Sequence, residues 1–243
     1  MNHISIWNLS NKTDLLTRIG IRKKKSKKLN APLLIHEYCE GIDLNGQKVK
    51  SILFSTDLAL IENSNCDAIL AVYPFSPSEK IMETIIKFSN KPVICGVGGG
   101  VTQGAVSIQM AVEAEKLGAC AVIVNQPFKN EDIKKMKQQI TIPIISSIST
   151  MDFDFQKRID SGVDIFNVTG GNQTNELLNH LRKTYPKTPC ISTAGQSIES
   201  LDKTIKSNAS AVVLTPPSSS LLFKEIMTKY RTNIRWFDRL FKR

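Results

Sequence analysis

Three consecutive glycines stand inside the run Val93-Ile-Cys-Gly-Val-Gly-Gly-Gly-Val-Thr-Gln-Gly104. An apolar strand that enters such a run and leaves into a helix exposes main-chain N–H groups. Glycine permits positive φ and carries no side chain to cover them. N–H groups gathered at a helix N-terminus bind anions, phosphate first among them. A plain strand-to-helix turn needs one or two glycines, so Gly98, Gly99, Gly100 and Thr102 are the leading phosphate-binding candidates. Shorter glycine and hydroxyl runs add Gly170, Gly171, Gly195, Ser197 and Ser218.

Acid/base chemistry has few candidates. His36 and Glu37 follow an apolar run, Leu33-Leu-Ile, that predicts a strand, and Glu40 lies just beyond it. Neighbouring strand residues face opposite ways, so only one of His36 and Glu37 looks into a site from the strand itself. Cys39 beside that histidine is a weaker nucleophile candidate. Asn125 and Asn167 end two further apolar runs and suit the orientation of a carbonyl or hydroxyl. No lysine stands at a strand end, which disfavours a Schiff-base aldolase. No H-x-H or H-E-x-x-H spacing occurs, which disfavours a zinc hydrolase. The sequence therefore names no metal ligands. Magnesium held through substrate phosphate and one carboxylate, or flavin mononucleotide on the glycine turns, are the cofactors still compatible with it.

The elements that must carry these residues alternate. Apolar runs near 33–37, 67–73, 92–97, 120–125, 142–147, 163–168, 189–193 and 210–214 read as strands, with helix-period segments between them. Continuous apolar strands separated by amphipathic helices mean parallel strands covered on the outside. Eight such units predict a closed (β/α)8 TIM barrel, whose active site lies at the C-terminal ends of the strands. Asn45-Gly46, flanked by alternating apolar residues, predicts a hairpin insertion after the first strand, standing over the barrel mouth as a lid or dimer contact.

Three regions follow: a basic arm over 1–30, the barrel over 31–230 and a tail over 231–243. The net charge of +10 sits at the ends, with six bases and no acid in 22–28 and five bases against one acid in the tail. The remaining body is neutral, which argues against a broad nucleic-acid surface, although the two basic ends suit an acidic or nucleic-acid partner. The tail reads as a basic amphipathic helix that docks on its own domain or on a second subunit of a homo-oligomer. No apolar stretch is long enough to span a membrane and no secretory signal is recognisable. The five cysteines, at 39, 66, 95, 120 and 190, show no C-x-x-C pairing, as expected in a reducing cytoplasm.

Val97-Gly-Gly-Gly-Val101 with Ala121-Val-Ile-Val-Asn125 resembles the third and fourth units of the histidine-biosynthesis barrels. Ser161-Gly-Val-Asp-Ile-Phe-Asn-Val168, with Leu181-Arg-Lys-Thr-Tyr-Pro186 and Ile191-Ser-Thr-Ala-Gly195, is similar to the last units of the 2-keto-3-deoxy-6-phosphogluconate aldolases. Both likenesses lie within the phosphate-binding (β/α)8-barrel superfamily and cover about half the chain, residues 92–217. They imply a phosphorylated ligand. The catalytic aspartates of the first group and the Schiff-base lysine of the second have no counterparts here, since His36-Glu37 and Ser146-Ser147 stand where the aspartates would be and Asn167 where the lysine would be. Arm, hairpin and tail point to a distinct bacterial barrel family. The expectation is a cytoplasmic enzyme of lyase or isomerase type acting on a small phosphorylated metabolite. The alternatives are a non-catalytic barrel sensing such a ligand, a flavin-binding barrel, and a hydrolase of the same fold.

Overall fold

Ile, Val, Leu and Ala fill eight short runs whose main chains hydrogen-bond side by side, and the ring they make closes on itself. The computed structural model describes residues 7–9, 29–195, 197–228 and 231. The basic arm and the C-terminal tail therefore fall almost wholly outside the described residues. Residues 7–9 and 29–30 carry a small antiparallel pair, β1 (Asn8–Leu9) and β2 (Leu29–Asn30).

A short helix, α1 (Leu33–Tyr38), comes next, followed by the hairpin β3 (Ile42–Leu44) and β4 (Gln47–Val49). The barrel strands are β5 (Ser51–Phe54), β6 (Ala68–Ala71), β7 (Val93–Gly98) and β8 (Ala121–Val124). The ring is completed by β9 (Ile144–Ile148), β10 (Ile165–Val168), β11 (Cys190–Thr193) and β12 (Ala211–Leu214). All eight pair in parallel, and β12 returns to β5. Between them run α2 (Leu58–Asn63), α3 (Glu79–Phe88), α4 (Gly104–Leu117) and α5 (Asn130–Lys137). The later units carry α6 (Phe155–Asp160), α7 (Thr174–Thr184) and α8 (Ile198–Lys206), and a further helical segment spans 219–228.

Two apolar cores result. One lies between the strands and the surrounding helices. The other fills the barrel itself. The pairing registers bring Ile52, Ile94, Ile145 and Ile191, one from every second strand, into a single interior layer. Burying each such side chain contributes about 1.5–3 kcal/mol. The next layer toward the strand C-termini holds Leu70, Ile123, Asn167 and Val213, and the layer above it Phe54, Gly96, Ser147 and Thr193. The interior thus turns from hydrocarbon to mixed polar as it nears the mouth.

The hairpin forms at the residues expected, and Asn45 (φ 53°) and Gly46 (φ 74°) both take the positive φ of a two-residue turn. Its position differs from expectation. Ile42, Leu44 and Val49 pack into the barrel-interior core, Gly41 N–H donates to Ser210 O at 2.8 Å, and the chain enters β5 through Lys50. Ser210 immediately precedes β12, so the hairpin closes the N-terminal end of the barrel and is not a lid over the mouth.

The segment 33–37 is likewise a helix rather than the first strand. Ile35 is the buried residue of this helix, Ala31 before it and the C-cap Cys39 are buried on either side, and Pro32 stands at the N-cap. The first barrel strand is instead Ser51-Ile-Leu-Phe54, a short buried run directly after the hairpin.

Candidate functional site

A cavity of about 330 Å³ opens at the C-terminal ends of the first four barrel strands. Phe54 closes it from β5, residues 72–75 and Pro77 from the loop after β6, and Ile123 with Asn125 from β8. Gly96, Gly98, Gly100, Val101 and Thr102 form its remaining wall. Most of this surface is hydrocarbon, and Phe75 and Val101 are exposed at the rim.

The glycine turn owes its shape to two devices. The pairing of β7 with β8 slips between Gly96 and Gly98, a bulge that re-aims the chain at the mouth. Gly99 then takes φ 91°, with its N–H donating to Thr102 O at 3.0 Å, while Gly98 O accepts from Asn125 N–H at 3.0 Å. A Cβ on Gly99 would stand 2.6 Å from Asn125 N and 2.8 Å from Asn125 O. The loops after β7 and β8 therefore touch backbone to backbone. The Gly99 amide is used inside the turn. Among the described residues the main-chain amides of Gly100, Val101 and Thr102, three residues that line the cavity, have no hydrogen-bond acceptor.

Asn125 is held by its neighbours. Gln126 O and Phe128 O accept hydrogen bonds from the guanidinium of Arg158 at 2.5 and 2.6 Å, and Arg158 lies over the Phe153 ring at 4.9 Å. Arg158 is 2% exposed. Burial pulls its guanidinium down to about 10, which leaves it charged at neutral pH. Gln126 Oε1 in turn accepts from Ser149 N and Oγ at 2.7 and 2.9 Å, tying the loop after β8 to the loop after β9. Nothing in the sequence marked Arg158, since an arginine in the last turn of a short helix ordinarily faces solvent.

Asn167 stands inside the barrel one layer below Ser147 and Thr193. Its Nδ2 donates to Ser147 Oγ at 3.1 Å, and its Oδ1 is buried with no partner among the described residues. Tyr73 lines the cavity, and its hydroxyl oxygen accepts from Ser78 N–H at 2.7 Å. Asp57, which the displaced first strand kept out of view, caps α2 and accepts from the Ser219 hydroxyl. That bond holds its carboxyl below the usual carboxylate range; burial opposes the shift, and the Leu60 and Ala59 amides add to it.

The cavity gathers Gly98, Gly100, Thr102 and Asn125 from the expected set. Gly170, Gly171, Gly195, Ser197 and Ser218 lie around the later strands, where several of their polar groups serve helix starts. Gly170 O accepts from Gln173 N–H and Gly195 N–H donates to Ser200 Oγ. Ser197 Oγ accepts from Ser200 N–H, and Ser218 Oγ from Leu221 N–H.

His36, Glu37 and Glu40 are at the other end of the barrel, because the segment that carries them is α1. Lys50 Nζ donates to His36 O at 2.7 Å, His36 Nδ1 is 4.0 Å from Asp67 Oδ2, and Glu40 pairs with Arg182 at 3.2 Å. Asp67 also accepts from Lys50 N and Ser51 N, ahead of β6 and β5. The grouping of these residues with the glycine turn is thereby overturned. Burial pushes the Cys39 thiol up to about 11, so it is no thiolate nucleophile at neutral pH. Among the described residues no group of three or more His, Cys, Asp or Glu gathers in the manner of a metal centre, and no helix is long and apolar enough to cross a membrane.

No protein-family model matches the chain, and no curated protein matches it. Solved barrels do. A phosphonopyruvate hydrolase in complex with oxalate and Mg²⁺ superposes with a TM-score of 0.59 at 13% identity, over 82% of this chain and 89% of that one. A phosphoenolpyruvate phosphomutase from Streptomyces platensis subsp. rosaceus gives 0.56 at 12% identity, over 79% and 84%. A 2,3-dimethylmalate lyase of the PEP mutase/isocitrate lyase superfamily gives 0.54 at 12%, over 77% and 80%. The chain shares the barrel fold with these enzymes.

Proposed function

We propose that the protein is a barrel enzyme acting on a small phosphorylated molecule, bound at the mouth over the first four strands. The observation that carries this reading is the glycine turn opening onto the cavity, where the amides of Gly100, Val101 and Thr102 have no acceptor among the described residues. Neighbouring N–H groups in the turn that leads into α4 suit an anion. The names of the enzymes with the same fold, which speak of phosphonopyruvate and phosphoenolpyruvate, agree with a phosphorus-bearing substrate.

Lyase or isomerase chemistry needs a carbonyl or hydroxyl held still and a proton delivered to it. Asn125, directly after β8, orients that group from the cavity wall, while Asn167 is buried one layer below the mouth and does not line the cavity. Tyr73 is the proton donor we assign: its oxygen is already satisfied by the Ser78 amide, which leaves its own O–H free to point into the cavity. Its place at the mouth, in contrast to His36 and Glu40, is what recommends it. The buried free thiols at all five cysteines suit a reducing, cytoplasmic setting.

Titration calorimetry with inorganic phosphate tests the anion site. The wild-type chain is expected to bind, Val101→Pro to bind at least about tenfold more weakly through loss of one donor, and His36→Ala to bind like wild type. Equal affinity in Val101→Pro, confirmed folded by its melting curve, contradicts the assignment.

A further inference from the structure

The cavity at the mouth has two unlike walls. On the side of β7 and β8 stand the amides of the glycine turn, the Thr102 hydroxyl and the side-chain amide of Asn125. Asn125 Nδ2 lies 3.6 Å from where a Cβ on Gly100 would stand, so these groups form one polar corner. On the side of β5 and β6 the wall is hydrocarbon, with Phe54, Val72, Phe75 and Pro77. Phe54 and Val72 also pack against the barrel-interior core, which fixes this wall in place. The polar group it offers is the Tyr73 hydroxyl, whose oxygen already accepts from Ser78 N–H. Among the described residues no side chain lining the cavity is charged.

These walls sort ligands by what lies beyond the phosphate. A polyol laid against Phe54 and Val72 loses water from several hydroxyls and finds too few partners for them. A carboxylate loses its hydration with no cation to meet it. An apolar group meets neither cost, and takes hydrocarbon out of water on both sides of the contact. An aromatic ring also finds the faces and edges of Phe54 and Phe75. The volume of about 330 Å³ is at the small end of ligand pockets, which suits a compact guest.

We infer that the substrate is a phosphate ester or phosphonate whose other end is a compact apolar ring, rather than a phosphorylated polyol or carboxylate. Its phosphorus-bearing end lies at the polar corner and its ring against Phe54 and Val72, with Phe75 at the rim. This rests on the phosphate reading above and adds the chemistry of the other end.

Four probes decide it: phenyl phosphate, glycerol 3-phosphate, phosphoglycolate and inorganic phosphate, each titrated calorimetrically into the full chain. Phenyl phosphate is expected to bind at least about tenfold more tightly than each of the other three. Phe54→Ala is expected to remove most of that preference by deleting the ring's main contact. Phe75→Ser is expected to narrow it. Phe75 is 75% exposed, so this variant leaves the core intact and serves if Phe54→Ala does not fold. Glycerol 3-phosphate or phosphoglycolate binding as tightly as phenyl phosphate overturns the inference while leaving the phosphate site standing. A preference for phenyl phosphate that survives undiminished in both variants does the same. If all four probes fail to bind, the phosphate reading itself falls and this inference with it.

Discussion

Gly99→Ala is expected to destabilise the protein by about 3 kcal/mol and to abolish anion binding at the mouth. Two costs add. An L-residue at φ 91° is strained by about 1–2 kcal/mol. The new Cβ would also meet Asn125 N at 2.6 Å, Asn125 O at 2.8 Å and Asn125 Cα at 2.9 Å. These are main-chain atoms and cannot swing aside, so the loop after β8 must move. For a chain of this length each kcal/mol shifts the melting temperature by roughly 2–4 °C, so a fall of about 6–12 °C is expected. Gly100→Ala is the control. A Cβ there meets only Asn125 Nδ2, at 3.6 Å, an ordinary contact, and a change within about 0.5 kcal/mol is expected. Equal melting temperatures for the two variants would show that the turn is not held against Asn125 as described.

Arg158→Met comes second, with an expected loss of about 3 kcal/mol. Replacing a buried ion pair by hydrocarbon is often harmless, because both charges leave together. Arg158 differs in that its partners are the main-chain oxygens of Gln126 and Phe128, which no side-chain substitution removes. Methionine fills much of the volume and leaves those acceptors facing a hydrocarbon wall. Arg158→Lys is expected to fall between wild type and Met, since one ammonium replaces the planar fork with poorer geometry. Chemical denaturation ordered wild type, Lys, Met supports the clamp. A methionine variant as stable as wild type would mean that the loop after β8 is fixed by Gln126 and Ser149 alone.

The barrel was legible because its strands are continuous apolar runs at regular intervals, and seven of the eight were found where the sequence places them. The eighth was misplaced for a physical reason. Leu33-Leu-Ile is as apolar as a strand, yet Ile35 is the buried residue of the helix it forms, and the polar His-Glu-Tyr that follows suits a half-exposed helix. The real first strand, Ser51-Ile-Leu-Phe54, has only four residues and sits tight against the hairpin, so the apolar pattern assigns it to no element. That single displacement carried His36, Glu37 and Glu40 to the wrong end of the barrel and hid Phe54 and Asp57 at the right one.

The glycine turn was readable because glycine types are position-specific. The part played by Arg158 was not, since its role depends on carbonyls 30 and 32 residues away. Nor do sequence patterns distinguish a serine that caps a helix, as Ser197 and Ser218 do, from one that binds an anion. Asn167 was found from its place at a strand end, but its unpaired oxygen belongs to the three-dimensional packing.

The central claim is the location of the anion, and a residue-resolved titration measures it. Inorganic phosphate added to ¹⁵N-labelled protein is expected to move the amide resonances of Gly100, Val101 and Thr102 and the side-chain amide of Asn125, with one saturating binding curve. Shifts confined to Gly195, Ser197 and Ser218, or to the basic stretch 22–28, would contradict it.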